Sequence, residues 1–126
     1  PSDRHSCARF VSMQRLYNLS YREEEREMLP LCQDQGIAVI AWAPLAGGRL
    51  SRKPSEDQSQ TARGVPMAHV AIAWVASKSV VTAPIIGATK LRHLDDAVAA
   101  LSLQLSADEI RHLEEPDQPR PVAGHA

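Results

Sequence analysis

Aromatic residues, cysteines and an excess of charge of either sign are all scarce in this sequence of 126 residues. Only 4% of the residues are aromatic, and the two cysteines, Cys7 and Cys32, have neither CxxC spacing nor a histidine at metal-ligand spacing. This scarcity argues against a disulfide framework and against a metal site, and it favours a reduced, cytoplasmic setting. The formal net charge of −1 argues against nucleic acid as the main partner, because nucleic-acid binding usually needs a basic face.

Long apolar runs are also missing. None reaches the roughly 18 residues that a membrane span requires, and the polar start over residues 1–5 lacks the apolar segment of a signal peptide. The sequence therefore predicts no membrane partner. Its first residue is proline, which predicts a processed, trimmed or incomplete chain. The hydrophobic content of 44% is enough for one domain with a buried core.

The most informative segment that is present is residues 36–50, GIAVIAWAPLAGGRL. A branched apolar run, typical of a buried strand, ends at Trp42 and leads into a loop of small residues. The indole could stack on a flat ring, and Gly47 and Gly48 would let backbone N–H groups approach an anion closely. Alternatively, Trp42 is a core residue and the loop is a tight turn. The segment alone favours this second interpretation.

Strands and helices alternate in the rest of the pattern. Residues 9–14 predict a strand, and the acidic cluster in 22–28 predicts the start of a helix that has Pro30 in its first turns and stops at Gly36. A second strand is predicted over 37–42. Residues 51–61 read as a polar loop.

The second half of the chain continues this alternation. Pro66 is suited to the first turn of a helix whose spacing places Trp74 in the core, and residues 80–86 predict a third strand that is buried on both faces. Thr89 is the predicted N-cap of the next helix, and Ser106 with Glu109 predicts a capping box for the last one. Two predicted apolar contacts complete the pattern: a buried stripe of Leu91, Leu94, Val98 and Leu101, and a staple between Leu105 and Ile110.

Alternation of this kind predicts a parallel sheet with helices packed outside it. Ligands of such folds bind at the carboxyl ends of the strands. The predicted ends are Gln14, Trp42 and residues 87–90. Together they offer an amide, an aromatic ring and a helix N-terminus, a combination that is typical of a nucleotide site.

Three ordered segments resemble the aldo-keto reductase family. They are residues 10–19 (FVSMQRLYNL), 36–50 and 83–94 (APIIGATKLRHL), which are similar to the sixth, seventh and eighth barrel strands with their loops, and residues 105–114 also fit. The resemblance covers most of residues 9–125. It implies an α/β fold that is a partial (β/α)8 TIM barrel, with about three strand–helix units plus a C-terminal helix and tail. Residues 1–126 would form a single incomplete domain.

The resemblance also implies a cofactor site, because the family reduces carbonyl groups with NADPH. Gln14 would bind the nicotinamide carboxamide, and Trp42 would stack on the nicotinamide ring. The pyrophosphate would be lined by Ala43, Leu45, Gly47 and Leu50. The adenosine and its 2′-phosphate would be faced by Gly87, Thr89, Lys90, His93 and Asp96. Many members have a basic residue in place of Gly87, so recognition of the 2′-phosphate would fall to Lys90 and Arg92, and this departure weakens the preference for NADPH over NADH. The resemblance as a whole still implies NADP(H) rather than NAD(H).

Two departures from the family matter. Its catalytic aspartate, tyrosine, lysine and histidine lie in its first four strands, which have no counterpart here, so no catalytic residue is expected in this chain. Tyr17 and Tyr21 belong to the loop after the first predicted strand, and His5 and His69 do not match the family histidine. In addition, residues 51–63 form a polar loop that is shorter than in relatives.

Three functions are compatible with these features. The first is an NAD(P)H-dependent oxidoreductase of the family, acting on a small aldehyde or ketone in the complete enzyme, for which this chain provides the binding site of the nicotinamide dinucleotide and is inactive alone. The second is a non-catalytic nucleotide-binding or regulatory module. The third is a truncated product without a separate function. In each case, three barrel strands leave two open sheet edges and an uncovered apolar face, which predicts self-association.

Overall fold

Three parallel strands alternate with helices in residues 8–51 and 64–119, the parts of the chain that the computed structural model describes. The strands are β1 (Ser12–Leu16), β2 (Ala38–Trp42) and β3 (Val81–Pro84), hydrogen-bonded in the order β1-β2-β3. The α-helices are α1 (Met28–Gln35), α2 (Met67–Ser77), α3 (Leu91–Leu101) and α4 (Ala107–Glu114). Short 3₁₀ turns occupy Glu23–Glu25 and Ala46–Gly48. The predicted α/β class and parallel sheet are confirmed.

The core lies between one face of the sheet and the helices. Trp74 of α2 is fully buried at its centre, and its ring centroid lies 5.1 Å from that of Tyr17. Val39 and Ala41 contribute from β2, and Cys32 contributes from α1. The predictions that Trp74 and Cys32 are core residues are therefore confirmed. The opposite face of the sheet carries Gln14, Ile40 and Trp42, since side chains alternate along a strand.

The edge strands differ from their predicted ranges. β1 continues two residues beyond Gln14, because its residues 12–16 pair with residues 38–42 of β2. β3 is limited to four residues, and Thr82 and Ala83 are exposed. The prediction that this strand is covered on both faces is therefore wrong, since β3 lies at the edge of the described sheet and only one face packs on helices.

The first helix begins later than predicted. The acidic cluster forms the separate turn Glu23–Glu25, where Glu24 is buried beside Arg15, and α1 starts only at Met28. Pro30 does lie in the first turn of α1. Gly36 ends the helix with φ = 63°, a left-handed conformation that glycine adopts at little cost. Both of these predictions are confirmed.

The last helix has the predicted capping box. The Ser106 hydroxyl accepts a hydrogen bond from the Glu109 N–H at 3.2 Å, and the Glu109 carboxylate accepts one from the Ser106 N–H at 2.8 Å. Leu105 and Ile110 both pack against the main core. None of the helices in the described parts of the chain has the length and apolar character needed to cross a membrane. The polar loop predicted over 51–63 lies, apart from Ser51, outside the described residues.

Helix α3 is oriented differently from the prediction. Its N-cap residue is Lys90 rather than Thr89, and no side chain caps it. The predicted buried stripe is exposed instead, with exposed fractions between 51% for Leu94 and 75% for Leu91. The helix buries Ala97 and Ala100 against Ile72 of α2. Small alanine side chains let the two helices approach closely, and this turns the leucines outward. We call the exposed set of Leu91, Leu94, Val98 and Leu101 the α3 stripe.

The α3 stripe is expected to promote self-association of the isolated chain. Its spacing of three, four and three residues is that of a helix-pairing seam, and soluble proteins rarely expose apolar side chains in such a row. We expect Val98→Glu to lower the weight-average mass in sedimentation experiments at high protein concentration. Ala99→Glu adds the same charge at an exposed neighbouring position outside the stripe, and it is the matched control. Equal masses for the two variants would contradict the prediction.

Candidate functional site

Trp42 stands at the carboxyl end of the central strand, the position where parallel α/β folds bind ligands. It is the last residue of β2, and 43% of its surface is exposed. The preceding Ala41 faces the core and is fully buried. The interpretation of Trp42 as a core residue is therefore wrong. Exposing a large aromatic ring at this position leaves a flat apolar surface available for stacking.

Gln14 lies on the same face of the sheet as Trp42, but it is not at the end of its strand. It pairs with Ile40, whereas Leu16 pairs with Trp42. Gln14 is therefore two residues, or about 7 Å, nearer the start of the strands than Trp42. Its side-chain amide is exposed. The expectation that β1 ends at Gln14 is wrong, yet the structure brings its amide to the face that carries the indole.

The loop after Trp42 has an unusual backbone. Ala43 and Ala46 have φ values of 53° and 50°, and Gly47 and Gly48 follow with 65° and 90°. Left-handed conformations cost free energy for alanine, and such strain clusters at functional sites. Turns of this kind can also form concave anion sites from backbone amides.

Several amides of this loop are already bonded within it. The N–H of Gly48 and that of Leu50 both donate to the Leu45 carbonyl, at 2.9 and 3.2 Å. The Ala46 N–H donates to the Ala43 carbonyl at 2.9 Å. The Gly48 amide therefore closes the turn, and the close approach of an anion to other N–H groups of this loop stays a prediction.

Asn18 is a residue of this region that the sequence did not indicate. It is only 2% exposed. Its side-chain N–H donates to the Ala43 carbonyl at 3.0 Å, and its side-chain oxygen accepts from the N–H and the hydroxyl of Ser20 at 3.0 and 2.8 Å. An Asn-x-Ser sequence after a strand does signal a turn in which the asparagine side chain bonds the backbone. The contact with Ala43, 25 residues away, has no such signal.

The third segment of the site follows β3. Thr89 and Lys90 are exposed, and the Thr89 hydroxyl lies 3.4 Å from Nδ1 of His93. Ile86 of this segment packs on the same small cluster of α2 and α3 as Leu45 of the loop after β2, so the two loops meet there. A Cβ added at Gly87 would meet no atom within 4 Å, so a larger side chain fits at that position.

Asp96 does not join the other predicted residues of this segment, because it is paired with a residue of a different helix. Its carboxylate lies 3.3 Å from Nε2 of His69, which belongs to α2. The structure therefore brings Thr89, Lys90 and His93 into one turn at the start of α3, whereas Asp96 is paired with the neighbouring helix.

Tyr17 and Tyr21, which the sequence does not predict to be catalytic acids, are both buried. Burial, together with a hydrogen bond of 2.6 Å from the Tyr17 hydroxyl to Glu25, raises the pKa of Tyr17 well above its usual value.

Across the described residues, no three histidine, cysteine, aspartate or glutamate side chains converge as a metal site would require. A cavity of about 780 Å³ between Arg22 and α4 is lined by none of the predicted site residues.

Comparisons with known proteins all point to one family. The family model described as the aldo/keto reductase family matches residues 3–118. An aldo-keto reductase of Fusarium vanettenii is 44% identical over 148 residues, which cover 94% of this chain and 40% of that protein. The chain thus spans about 40% of the length of the curated relatives that it matches.

Solved structures agree with this result. An aldo-keto reductase of Bacillus halodurans in its holo form superposes with a TM-score of 0.79, covering 98% of this chain and 47% of that one. The sequence identity is 23%, so this match supports a similar fold and nothing more. An aldo/keto reductase of Klebsiella pneumoniae in complex with NADP and acetate gives a TM-score of 0.74 at 32% identity, covering 95% of this chain and 43% of that one. The partial barrel architecture predicted for this chain is confirmed.

Proposed function

Because this chain belongs to the aldo/keto reductase family, we propose that it provides the nicotinamide-binding surface of an NAD(P)H-dependent oxidoreductase that reduces an aldehyde or ketone to an alcohol. The observation that carries the proposal is Trp42, a half-exposed aromatic ring at the carboxyl end of the central strand, on the same face as the exposed amide of Gln14. A site for a nicotinamide needs both a flat apolar surface and a group that can both donate to and accept from a carboxamide.

The described residues fit such a cofactor. Trp42 stacks on the nicotinamide, and the Gln14 amide bonds its carboxamide. Lys90 adds an exposed positive charge for phosphate. The remaining contacts come from the loop residues Ala43, Leu45, Gly47 and Leu50 and from the segment residues Gly87, Thr89 and His93. When bound, the reduced nicotinamide supplies a hydride for the carbonyl carbon of the substrate.

We propose NADP(H) rather than NAD(H) as the cofactor. Lys90 and Arg92 are both exposed at the start of α3, where a 2′-phosphate would gain from two positive charges. The Klebsiella pneumoniae relative in complex with NADP supports the same choice. Calorimetric titrations with NADPH and NADH test it, and equal affinities would contradict it.

The isolated chain is expected to have no carbonyl reductase activity. Carbonyl reduction needs a proton donor beside the bound nicotinamide, and both tyrosines of the chain are buried. The measurement is consumption of NADPH by the purified chain with a test aldehyde, using Trp42→Ala as the control for turnover at this site. Turnover by the wild-type chain that Trp42→Ala abolishes would overturn the prediction. Cofactor binding without turnover would agree with it.

A further inference from the structure

We propose that Asn18 is a positioning residue that holds the Trp42 indole in the orientation needed for ring stacking. Trp42 is 43% exposed, so packing fixes its ring only in part. The direction of the Cα–Cβ bond is then set by the backbone on either side of the residue. Before Trp42 that backbone is held by the sheet, where the Ala41 carbonyl accepts from the Ile85 N–H at 2.7 Å, and after Trp42 it is held from the loop after β1.

The carbonyl groups of Trp42 and of the next residue, Ala43, both accept hydrogen bonds from this loop. The Trp42 carbonyl accepts from the Tyr17 N–H at 3.3 Å. The Ala43 carbonyl accepts from the Asn18 side chain at 3.0 Å and from the Ala46 N–H at 2.9 Å. The chain therefore leaves β2 through two peptide groups whose orientations are both fixed.

The second of these peptide groups follows a strained residue. Ala43 has φ = 53°, which alanine adopts only when surrounding contacts compensate for the steric cost. Asn18 provides such a contact from a position that is 2% exposed, where a hydrogen bond is not in competition with water.

The position of Asn18 is itself rigid. Its side-chain oxygen accepts two hydrogen bonds from Ser20, and its own N–H and carbonyl bond the backbone of Tyr21. These bonds fix the plane of the side-chain amide, so that one of its two N–H groups points at the Ala43 carbonyl. Asn18 thereby couples the turn after β1 to the corner that follows Trp42. Without it, we expect Ala43 to relax towards negative φ and the peptide group that links it to Trp42 to lose its fixed orientation.

Fluorine NMR of the full chain labelled with fluorotryptophan tests this inference directly. The chain has two tryptophans, so two resonances are expected. Trp74 is buried in the core and reports on folding, whereas Trp42 reports on the corner. Asn18→Asp keeps the acceptors for Ser20 but places a carboxylate against the Ala43 carbonyl. We expect it to shift and broaden the Trp42 resonance and to leave the Trp74 resonance in place.

Ser20→Ala is the matched control, because it removes a hydrogen bond from the same turn without touching Ala43. We expect it to leave both resonances unchanged, because the Ser20 N–H still donates to the Asn18 side-chain oxygen. Asn18→Ala is the second variant if Asn18→Asp fails to fold. Its effect should be reduced by adding Ala43→Gly, since glycine adopts positive φ without support. An unchanged Trp42 resonance in Asn18→Asp or Asn18→Ala, with Trp74 also unchanged, would overturn the inference.

The second arm of the test rests on the proposed function. Asn18→Asp is expected to weaken NADPH binding about tenfold in calorimetry, the effect of losing one buried hydrogen bond that orients the stacking ring. In a Trp42→Ala background the same substitution should change affinity less than twofold, and an undiminished effect there would contradict the inference. If the wild-type chain does not bind NADPH, the proposed function fails, whereas the Trp42 resonance still decides the role of Asn18.

Discussion

Trp42→Ala is expected to weaken NADPH binding by the isolated chain at least about fivefold. Stacking of a heteroaromatic ring on an aromatic side chain contributes about 1–3 kcal/mol, which corresponds to roughly a fivefold to 150-fold change in affinity. The indole is half-exposed and points away from the core, so its removal leaves the core packing intact. Isothermal titration calorimetry is the measurement, because it does not depend on the fluorescence of the residue that is removed.

Two further variants make the result specific. Trp42→Phe keeps an aromatic face and should retain most of the affinity. Leu31→Ala removes an apolar side chain of similar exposure, 49%, from helix α1 outside the candidate site, and it should leave binding unchanged. If the affinity of Trp42→Ala for NADPH lies within twofold of the wild-type value, Trp42 does not stack on the cofactor, and the proposed function loses its main support.

Glu114→Ala is expected to lower the free energy of unfolding by about 2–3 kcal/mol at neutral pH, because it leaves buried donors without their acceptor. The Glu114 carboxylate accepts hydrogen bonds from the Trp74 indole N–H at 2.9 Å and from Lys78, and it lies 3.3 Å from Arg22. Trp74 is fully buried at the centre of the core, so its indole N–H cannot form a hydrogen bond with water instead. Urea denaturation measures the loss. Glu115→Ala, an exposed carboxylate on the next residue, should cost less than about 0.5 kcal/mol.

The same carboxylate predicts a pH dependence. Burial by itself raises the pKa of Glu114, but the hydrogen bonds from Lys78 and Trp74 and the charges of Lys78 and Arg22 outweigh it, so the pKa is lowered from the ordinary value of 4.5. A group whose pKa is lower in the folded state stabilises the fold above its unfolded pKa and stops doing so as the pH falls through the folded value. The difference in stability between the wild-type chain and Glu114→Ala should therefore shrink below pH 4.5. A constant difference down to pH 2 would contradict this assignment.

Local signals in the sequence predicted the features that depend on neighbouring residues. The capping box of Ser106 and Glu109 and the left-handed stop at Gly36 each follow from residues close together in the chain. Such features depend on short-range sterics and hydrogen bonds, which a single sequence contains in full.

The orientation of α3 could not be predicted from its own sequence. Its leucines and valine have the spacing of a buried face, so periodicity predicts burial for them. The neighbouring helix instead packs on the alanine face of Ala97 and Ala100, because small side chains allow a closer approach to Ile72. Which face is buried depends on the partner helix, and the pattern of one helix does not contain that information.

The main supports of the site and of the core were missed for a related reason. Asn18 contacts Ala43 across 25 residues, and Arg22 contacts the backbone of Glu114 across 92. The register that places Gln14 opposite Ile40 is likewise a property of two strands. Polar contacts between residues far apart in the chain become visible only when the fold is known.

The position of β2 in the sheet has a consequence for amide hydrogen exchange. β2 is bonded to a strand on both sides, whereas β1 and β3 each have one open edge in the described part of the sheet. Local opening begins at such edges, so the amides of β2 should exchange most slowly with solvent. Transient opening therefore releases Gln14 and the segment around Lys90 first. The Trp42 indole, on the central strand, is expected to be released last.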